Sequence, residues 1–221
     1  MFRKKTDEKR EILLQSFYNL EDKLTRKLGM ENIVVAVTAS DANTNKTQSL
    51  YHIGRHLAED GDRILIIDAS LRKSDLPSVT GSSKSRGFID IILGSYDLDE
   101  AISRDDNFEN LDYLYTGEVA EYADKFLEPA EIKAFFAEVS SRYDYVFVDL
   151  SPNIDIPEAN MFAANADGVV IFSTHDLSNS PITLDSIKQL EKVNANILGI
   201  VVTDYNYSDS EIDDLFGGND E

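Results

Sequence analysis

The chain has no cysteine, so disulfides and thiol chemistry are excluded, a composition that fits a cytosolic protein. Basic residues are scarce: 21 Lys and Arg against 41 Asp and Glu leave a net charge of −20 in 221 residues. Affinity for phosphate backbones comes from Lys and Arg, so bare nucleic acid is excluded as the main partner. The same balance argues against an anionic membrane surface for most of the chain. One local exception is Arg3-Lys4-Lys5 with Lys9-Arg10. It reads either as a solvated helix entrance or as a contact for lipid headgroups or an acidic partner. No run approaches the roughly 20 apolar residues of a transmembrane helix, and no signal peptide or internal repeat is visible.

Glycine is missing where one pattern most wants it. Val34-Val35-Ala36-Val37-Thr38-Ala39 is an apolar, Val-rich run suited to a buried parallel strand. A polar turn follows, and then Lys46-Thr47 open an amphipathic helix. This is the layout of a phosphate-binding loop, in which backbone N–H groups cradle phosphates, Lys reaches the terminal phosphates and Ser or Thr holds Mg²⁺. The pattern G-x-x-x-x-G-K-[ST] asks for Gly at positions 40 and 45, and the chain has Ser40 and Asn45.

Around that loop the periodicity alternates. Residues near 8–28 place Ile12, Leu13, Phe17, Leu20, Leu24 and Leu28 at helical spacing, with Gly29 as a stop. Strand one is expected at about Ile33–Val37. The next helix carries Leu50, Ile53, Leu57 and Ala58 on one face and ends near Gly61. Residues 63–68 form a buried strand ending in Asp68, a polar loop follows around 73–87, and short helices are expected at 88–94 and 97–103. Residues 111–115 are a weaker strand. Beyond it, 129–141 is a helix and Tyr145–Asp149 is again a buried strand ending in an acid. Residues 157–166, 168–173, 181–193 and 197–203 continue helix, strand, helix, strand. Such alternation predicts an α/β fold, a mostly parallel sheet with helices on both faces. The domain is expected over 31–207, with an N-terminal helix in 1–30 packed on it and an acidic tail over 208–221, one helical turn at 211–216 aside.

In open α/β sheets ligands bind beyond the carboxyl ends of the strands. Three such ends deliver Lys46-Thr47, Asp68 and Asp149. Lys, Thr and two carboxylates are what Mg-nucleotide chemistry requires, with the acids holding the metal or its waters. A single acid after a strand is more often a helix cap or a partner of loop amides. Two acids together with a Lys-Thr point to a shared site.

Longer stretches carry a specific resemblance. Asp68-Ala69-Ser70-Leu71-Arg72-Lys73 resembles the D-A-D-L-R-x-P motif of the CpsD/CapB-type bacterial tyrosine kinases. Gly87 to Gly94, then Leu98-Asp99-Glu100-Ala101-Ile102, resembles that family's G-L-x-D-x-L-x-G … L-x-E-A-I. Asn110-Leu111-Asp112-Tyr113-Leu114 with Gly117 is similar to its N-L-x-x-L-x-x-G, Tyr143 to Pro152 to its Y-D-x-V-I-I-D-T-P-P, and Gly199-Ile200-Val201-Val202 to its closing strand. The resemblance spans roughly residues 15–204 in matching order.

It implies a P-loop NTPase fold related to MinD and ParA, with ATP and Mg²⁺ as cofactors. It also implies autophosphorylation of C-terminal tyrosines and a transmembrane activator, the co-polymerase of capsular or extracellular polysaccharide, as partner. The chain would then be cytoplasmic and peripheral to the inner face of the membrane through that partner. Carried over, Asn43, Thr44, Asn45, Lys46, Thr47 and Gln48 would bind nucleotide. Thr47, Asp68 and Asp149 would attend the metal, with Lys46, Asp68 and Asp149 catalytic and Asp68 the base. Tyr205 and Tyr207 would accept phosphate.

Several of these positions depart from the family. The loop P-G-E-G-K-[ST]-T reads Ala42-Asn43-Thr44-Asn45-Lys46-Thr47-Gln48, with Asn at both glycines. Asn tolerates left-handed backbone, so the loop is expected to keep its path while two side chains stand where phosphates approach. Asp41 adds a negative charge beside the loop, worth roughly 2–3 kcal/mol per phosphate charge at about 6 Å before screening. Ser70 replaces the second acid of D-A-D, and Thr203 stands for the family's Asn after the last strand. The ring-forming motif E-x-x-R-x-x-R falls on Gln15, Tyr18 and Glu21, so ring assembly by that contact is not expected.

Two activities therefore stay open: an autokinase with impaired or lost ATP binding, and a non-catalytic regulatory module. A MinD/ParA-like ATPase is a weaker third, because Asp41 stands where that group's extra loop lysine would be. His52 and His56, four apart on the helix after the loop, have the spacing of a metal pair, and a solvated helix face explains them equally well. His175, in a loop beside Asp176, would line the site or cap a turn. Tyr113, Tyr115, Tyr143 and Tyr145 read as sheet and core residues.

Overall fold

The computed structural model describes residues 32–42, 44–71, 74–82, 86–117, 127–152, 157–205 and 208. The N-terminal helix and its basic cluster, Gln15, Tyr18 and Glu21 of the ring motif, Asn43, Arg72, Lys73, Tyr207 and the acidic tail lie outside the described residues.

In chain order the elements are β1 (Ile33–Ala39), α1 (Lys46–Asp60), β2 (Ile64–Asp68), α2 (Leu76–Thr80), α3 (Phe88–Ile92), α4 (Leu98–Ala101), β3 (Ser103–Arg104), β4 (Leu111–Leu114), α5 (Pro129–Ser140), β5 (Tyr145–Asp149), α6 (Pro157–Asn165), β6 (Gly168–Thr174), a 3₁₀ turn (His175–Leu177), α7 (Pro181–Lys192) and β7 (Ile197–Thr203). The sheet order is β3-β4-β2-β5-β1-β6-β7, parallel except for the β3–β4 pair. This is the expected α/β architecture.

Continuous apolar runs make the central strands, because those strands are covered on both faces and need no polar alternation. Along β1, Val34 and Ala36 face one core while Ile33, Val35, Val37 and Ala39 face the other. The first core is closed by Ile132, Phe135, Phe136 and Val139 of α5 with Phe162 of α6. Leu50, Ile53, Leu57 and Ala58 of α1 close the second, which is the face that the helical spacing predicts. Helix α1 lies close on the sheet because Gly54 has no side chain: a Cβ there would come within 2.9 Å of Ile66 Cδ1.

Two local expectations are corrected. The stretch 97–103 is a four-residue helix only; Ser103 and Arg104 leave it to pair antiparallel with Tyr113 and Asp112 at the sheet edge. The polar loop around 73–87 contains α2, whose Leu76 is fully buried in the second core. A single apolar residue carries no period, so its burial was invisible to pattern reading.

Strand register positions the site. Val37 of β1 aligns with Asp149 of β5, and Asp149 aligns with Asp68 of β2. The loop after β1 thus opens beside two acids at neighbouring strand ends.

Candidate functional site

The loop after β1 is anchored at its start and tightened at its end. Ser40 donates its backbone N–H to Phe172 O at 2.9 Å, and its hydroxyl to Ser173 Oγ at 3.0 Å. Ser173 in turn pairs with Thr183 Oγ1 at 3.0 Å. Ser40 is therefore buried in a hydroxyl chain under the loop. At the other end Asn45 takes left-handed backbone, φ 51° and ψ 29°, directly before α1. That is the conformation the missing glycine would have adopted, so at this position the expected path is kept. The Asn45 side chain makes no capping hydrogen bond to α1.

Lys46 and Thr47 form the first turn of α1, and both are buried. The Lys46 ammonium is ion-paired with Asp149 Oδ1, and Thr47 Oγ1 donates to Asp149 Oδ2 at 2.6 Å. Asp68, fully buried, accepts from the Ser74 hydroxyl and from the Ser70 N–H at 3.1 Å. The Ser70 hydroxyl sits 3.4 Å from the Asp149 carbonyl, and Thr116 Oγ1 donates to the Asp68 carbonyl at 3.0 Å. Thr38 Oγ1 ties β1 to the Ser151 carbonyl at 2.9 Å.

Burial governs the electrostatics. It pushes the Lys46 ammonium down to about 7, against the opposing pull of Asp68 and Asp75. It also pushes the Asp68 carboxyl up, opposed by the hydrogen bonds from Ser74 and Ser70 and by Lys46. Both groups are thereby brought nearer the range in which protons move at neutral pH.

Above these side chains lies a cleft of about 410 Å³. It is lined by Thr44 and Asn45 of the loop, by Lys46, Thr47 and Gln48 of the first turn of α1, and by Asp41, Ser70, Asp75 and Val79. The structure thus brings together Lys46, Thr47, Asp68 and Asp149, with Thr44, Asn45 and Gln48 lining the cleft. The donor set fits Mg-nucleotide: a hydroxyl and carboxylates are hard oxygen ligands, and a lysine beside them suits phosphate. Sequence reasoning missed Ser74 and Asp75, which follow the acid motif at a spacing that matches no pattern. The nearest available signal was their position just after a strand-end acid.

Tyr205 is not at this cleft. It lies past β7, its ring edge-on to His175 with centroids 4.8 Å apart, in a separate hollow with Thr174, Asp176 and Asp204. Tyr113, Tyr115 and Tyr143 are buried, and Tyr145 stacks on Phe147, as expected of sheet and core residues. His56 faces Asp60 at 3.8 Å and His52 packs on Tyr51. Among the described residues no group of three or more His, Cys, Asp or Glu is placed to hold a metal ion by itself. No described helix is long and apolar enough to cross a membrane.

Comparison with known proteins agrees with this geometry. The protein named "Putative tyrosine-protein kinase EpsB" of Ralstonia solanacearum is 25% identical over 170 residues, covering 77% of this chain and 22% of EpsB. The succinoglycan biosynthesis transport protein ExoP of Rhizobium meliloti is 24% identical over 92% of this chain and 27% of its own length. The chain thus spans about a quarter of these two relatives. The tyrosine-protein kinase CpsD of Streptococcus agalactiae is 25% identical over 81% of this chain and 79% of CpsD. Among solved structures, the kinase domain of the Escherichia coli tyrosine kinase ETK superposes with a TM-score of 0.76 at 18% identity, covering 88% of this chain and 78% of that one. MinD of Pyrococcus horikoshii, complexed with Mg-ADP, gives 0.65 at 19% identity, covering 83% and 76%. These likenesses show the P-loop NTPase fold. The AAA domain family (AAA_31) matches residues 32–198, the span that holds the loop, both strand-end acids and the cleft, and the chain belongs to that family.

Proposed function

We propose that the chain is the nucleotide-binding module of a CpsD/CapB-like tyrosine autokinase homologue, acting in capsular or extracellular polysaccharide synthesis or export with a weakened hold on ATP. The observation that carries this reading is the contact of Lys46 and Thr47 with Asp149 beneath the loop, with Asp68 in register beside it. Bound Mg-ATP would supply the phosphoryl group and the metal charge that neutralises it. Lys46 would turn from Asp149 to phosphate oxygens. Thr47 and Asp149 would hold the metal or its waters. Asp68, its carboxyl raised by burial, would take the proton of an incoming tyrosine hydroxyl. The backbone of Asn43, Thr44 and Asn45, with Gln48 at the rim, would face the phosphates. Tyr205 and Tyr207 are the proposed acceptors. Tyr205 packs against His175 away from the cleft, which favours delivery from a second copy.

The proposed partner is a transmembrane polysaccharide co-polymerase, which would hold the chain at the inner face of the membrane. The arginines of the ring motif are absent, so ring assembly by that contact is not part of the proposal.

One feature favours the second reading, a non-catalytic regulatory module. The Asn45 side chain and the carboxylates of Asp41 and Asp75 line the cleft where phosphate charge would sit. Purified protein with ATP and Mg²⁺ decides between the two. Phosphate appearing on Tyr205 or Tyr207, and lost in Lys46→Ala, supports the autokinase. Calorimetry that detects neither ATP nor ADP binding at millimolar nucleotide eliminates it. In that case the triple change Asp41→Ser, Asn43→Gly, Asn45→Gly is expected to recover binding.

A further inference from the structure

Three fully buried residues with hydroxyls run from the start of the loop into α7: Ser40, Ser173 and Thr183. Strand register brings the first two together. Ala39 of β1 aligns with Phe172 of β6, so Ser40 and Ser173 stand one step further along neighbouring strands. Their hydroxyl oxygens are 3.0 Å apart, and Ser173 Oγ lies 3.0 Å from Thr183 Oγ1.

Proton count fixes the direction of this chain. A hydroxyl has one proton to give and can accept twice. Thr183 gives its proton to the Leu177 carbonyl at 2.7 Å, the shortest of these contacts. Ser173 therefore donates to Thr183 and accepts from Ser40. Ser173 and Ser40 each have a poorer second acceptor, Thr174 O at 3.3 Å and Asp41 Oδ2 at 3.4 Å. A phosphate loop works through backbone N–H groups held in fixed positions. Here its end has asparagine in place of glycine, and the Asn45 side chain makes no capping hydrogen bond. Its start is held by the Ser40 N–H on Phe172 O and by the Ser40 hydroxyl on Ser173. Without the second bond, the Ser40 proton would turn to Asp41, a residue that lines the cleft.

We propose that Ser173 is a positioning residue for nucleotide: it takes the Ser40 hydroxyl proton and so fixes the start of the phosphate loop, while Thr183 holds Ser173 in the accepting orientation. This rests on the nucleotide-binding reading above. A purely structural role of these hydroxyls would show in stability alone. A positioning role shows in affinity as well, and is kept by any variant that keeps the hydroxyl.

The test is calorimetry of ADP with Mg²⁺, beside urea unfolding without nucleotide, on the wild-type chain, Ser173→Ala, Thr183→Val, Thr183→Ser and Val139→Ala. Val139 is a buried core residue of α5 outside the hydroxyl chain, so its truncation lowers stability without touching the loop. Ser173→Ala is expected to weaken Mg-ADP binding about tenfold, the scale of one buried hydrogen bond, and Thr183→Val somewhat less. Thr183→Ser should bind as the wild type does, and so should Val139→Ala despite its lower stability. In the nucleotide-free protein, amide hydrogen exchange in the loop after Ser40 should quicken in Ser173→Ala and hold in Val139→Ala. Affinity unchanged in Ser173→Ala, or lowered as much in Val139→Ala, overturns the role while leaving the nucleotide site standing. Thr183→Ser binding as weakly as Thr183→Val overturns the part given to Thr183. Wild-type protein that binds no ADP overturns both readings.

Discussion

Strand β5 is bracketed by two acid–base pairs of like chemistry and opposite burial. At its amino end Asp144 binds Arg63, whose backbone N–H donates at 2.8 Å and whose guanidinium donates at 3.1 and 2.8 Å. The Arg63 and Asp144 side chains are 52% and 34% exposed. At the carboxyl end Asp149 meets Lys46, with exposures of 1% and 8%. The outer pair follows solution chemistry: Arg63 holds the Asp144 carboxyl below its usual range. The inner pair does not, because burial has driven the lysine down to about 7. An exposed pair clamps β2 to β5 at little cost and for little gain. A buried one is expensive to maintain, since desolvation opposes the attraction. In the proposed nucleotide site the lysine and acid part to admit phosphate and metal, a role that suits the second kind.

The comparison can be broken in order of expected effect. Asp149→Ala should cost the most, about 3 kcal/mol in urea unfolding at pH 6, because it strands a buried ammonium. A loss under about 1 kcal/mol would mean that the inner pair behaves like the outer one. Next comes nucleotide binding. Asp41→Ser should tighten ADP by roughly tenfold or more, the Coulomb cost of a carboxylate beside the phosphates after partial screening. Unchanged affinity in calorimetry would remove Asp41 from the account.

The third effect is pH dependence, which should run in opposite windows at the two ends. Lys46 binds its proton less tightly folded than unfolded, so its contribution to stability rises with pH from about 7 to its ordinary 10.5. The slope is at most about 1.4 kcal/mol per pH unit, and Lys46→Met should flatten it. Asp144 binds its proton less tightly folded than unfolded too. Being an acid, it gives stability that is present above its ordinary 3.8 and lost as pH falls through its lower folded value. For the same reason phosphate bound at Lys46 would raise its pKa, and nucleotide affinity should fall as pH climbs above 7. A flat profile from pH 7 to 9 would show that Lys46 stays charged without the ligand. Smallest of all, Arg63→Ala should give a slight, salt-sensitive destabilisation, read from unfolding at low and high ionic strength.

Much of the frame was legible before any coordinates. The runs 33–39, 64–68, 145–149 and 168–174 have enough consecutive apolar residues to read as buried strands, and each lies within a residue or two of its place. The left-handed backbone at Asn45 followed from its standing at a glycine of the loop pattern and from the tolerance of Asn for that conformation. Less legible was anything carried by one residue or by distant contact. Leu76 anchors α2 without a periodic pattern, and Ser103 leaves α4 because an edge of the sheet offers it a partner. The hydroxyl chain from Ser40 through Ser173 to Thr183 joins residues more than a hundred positions apart.

Composition and local periodicity by themselves determined the class of fold, the strands that end in acids and the loop that precedes Lys46, because burial on two faces and strand-to-helix switching are written in consecutive residues. Tertiary structure decided what those groups meet: Lys46 and Thr47 on Asp149, Ser74 on Asp68, Tyr205 against His175. Those choices depend on which strand lies beside which, and on how far water is excluded from between them, and neither is encoded within a single stretch of chain.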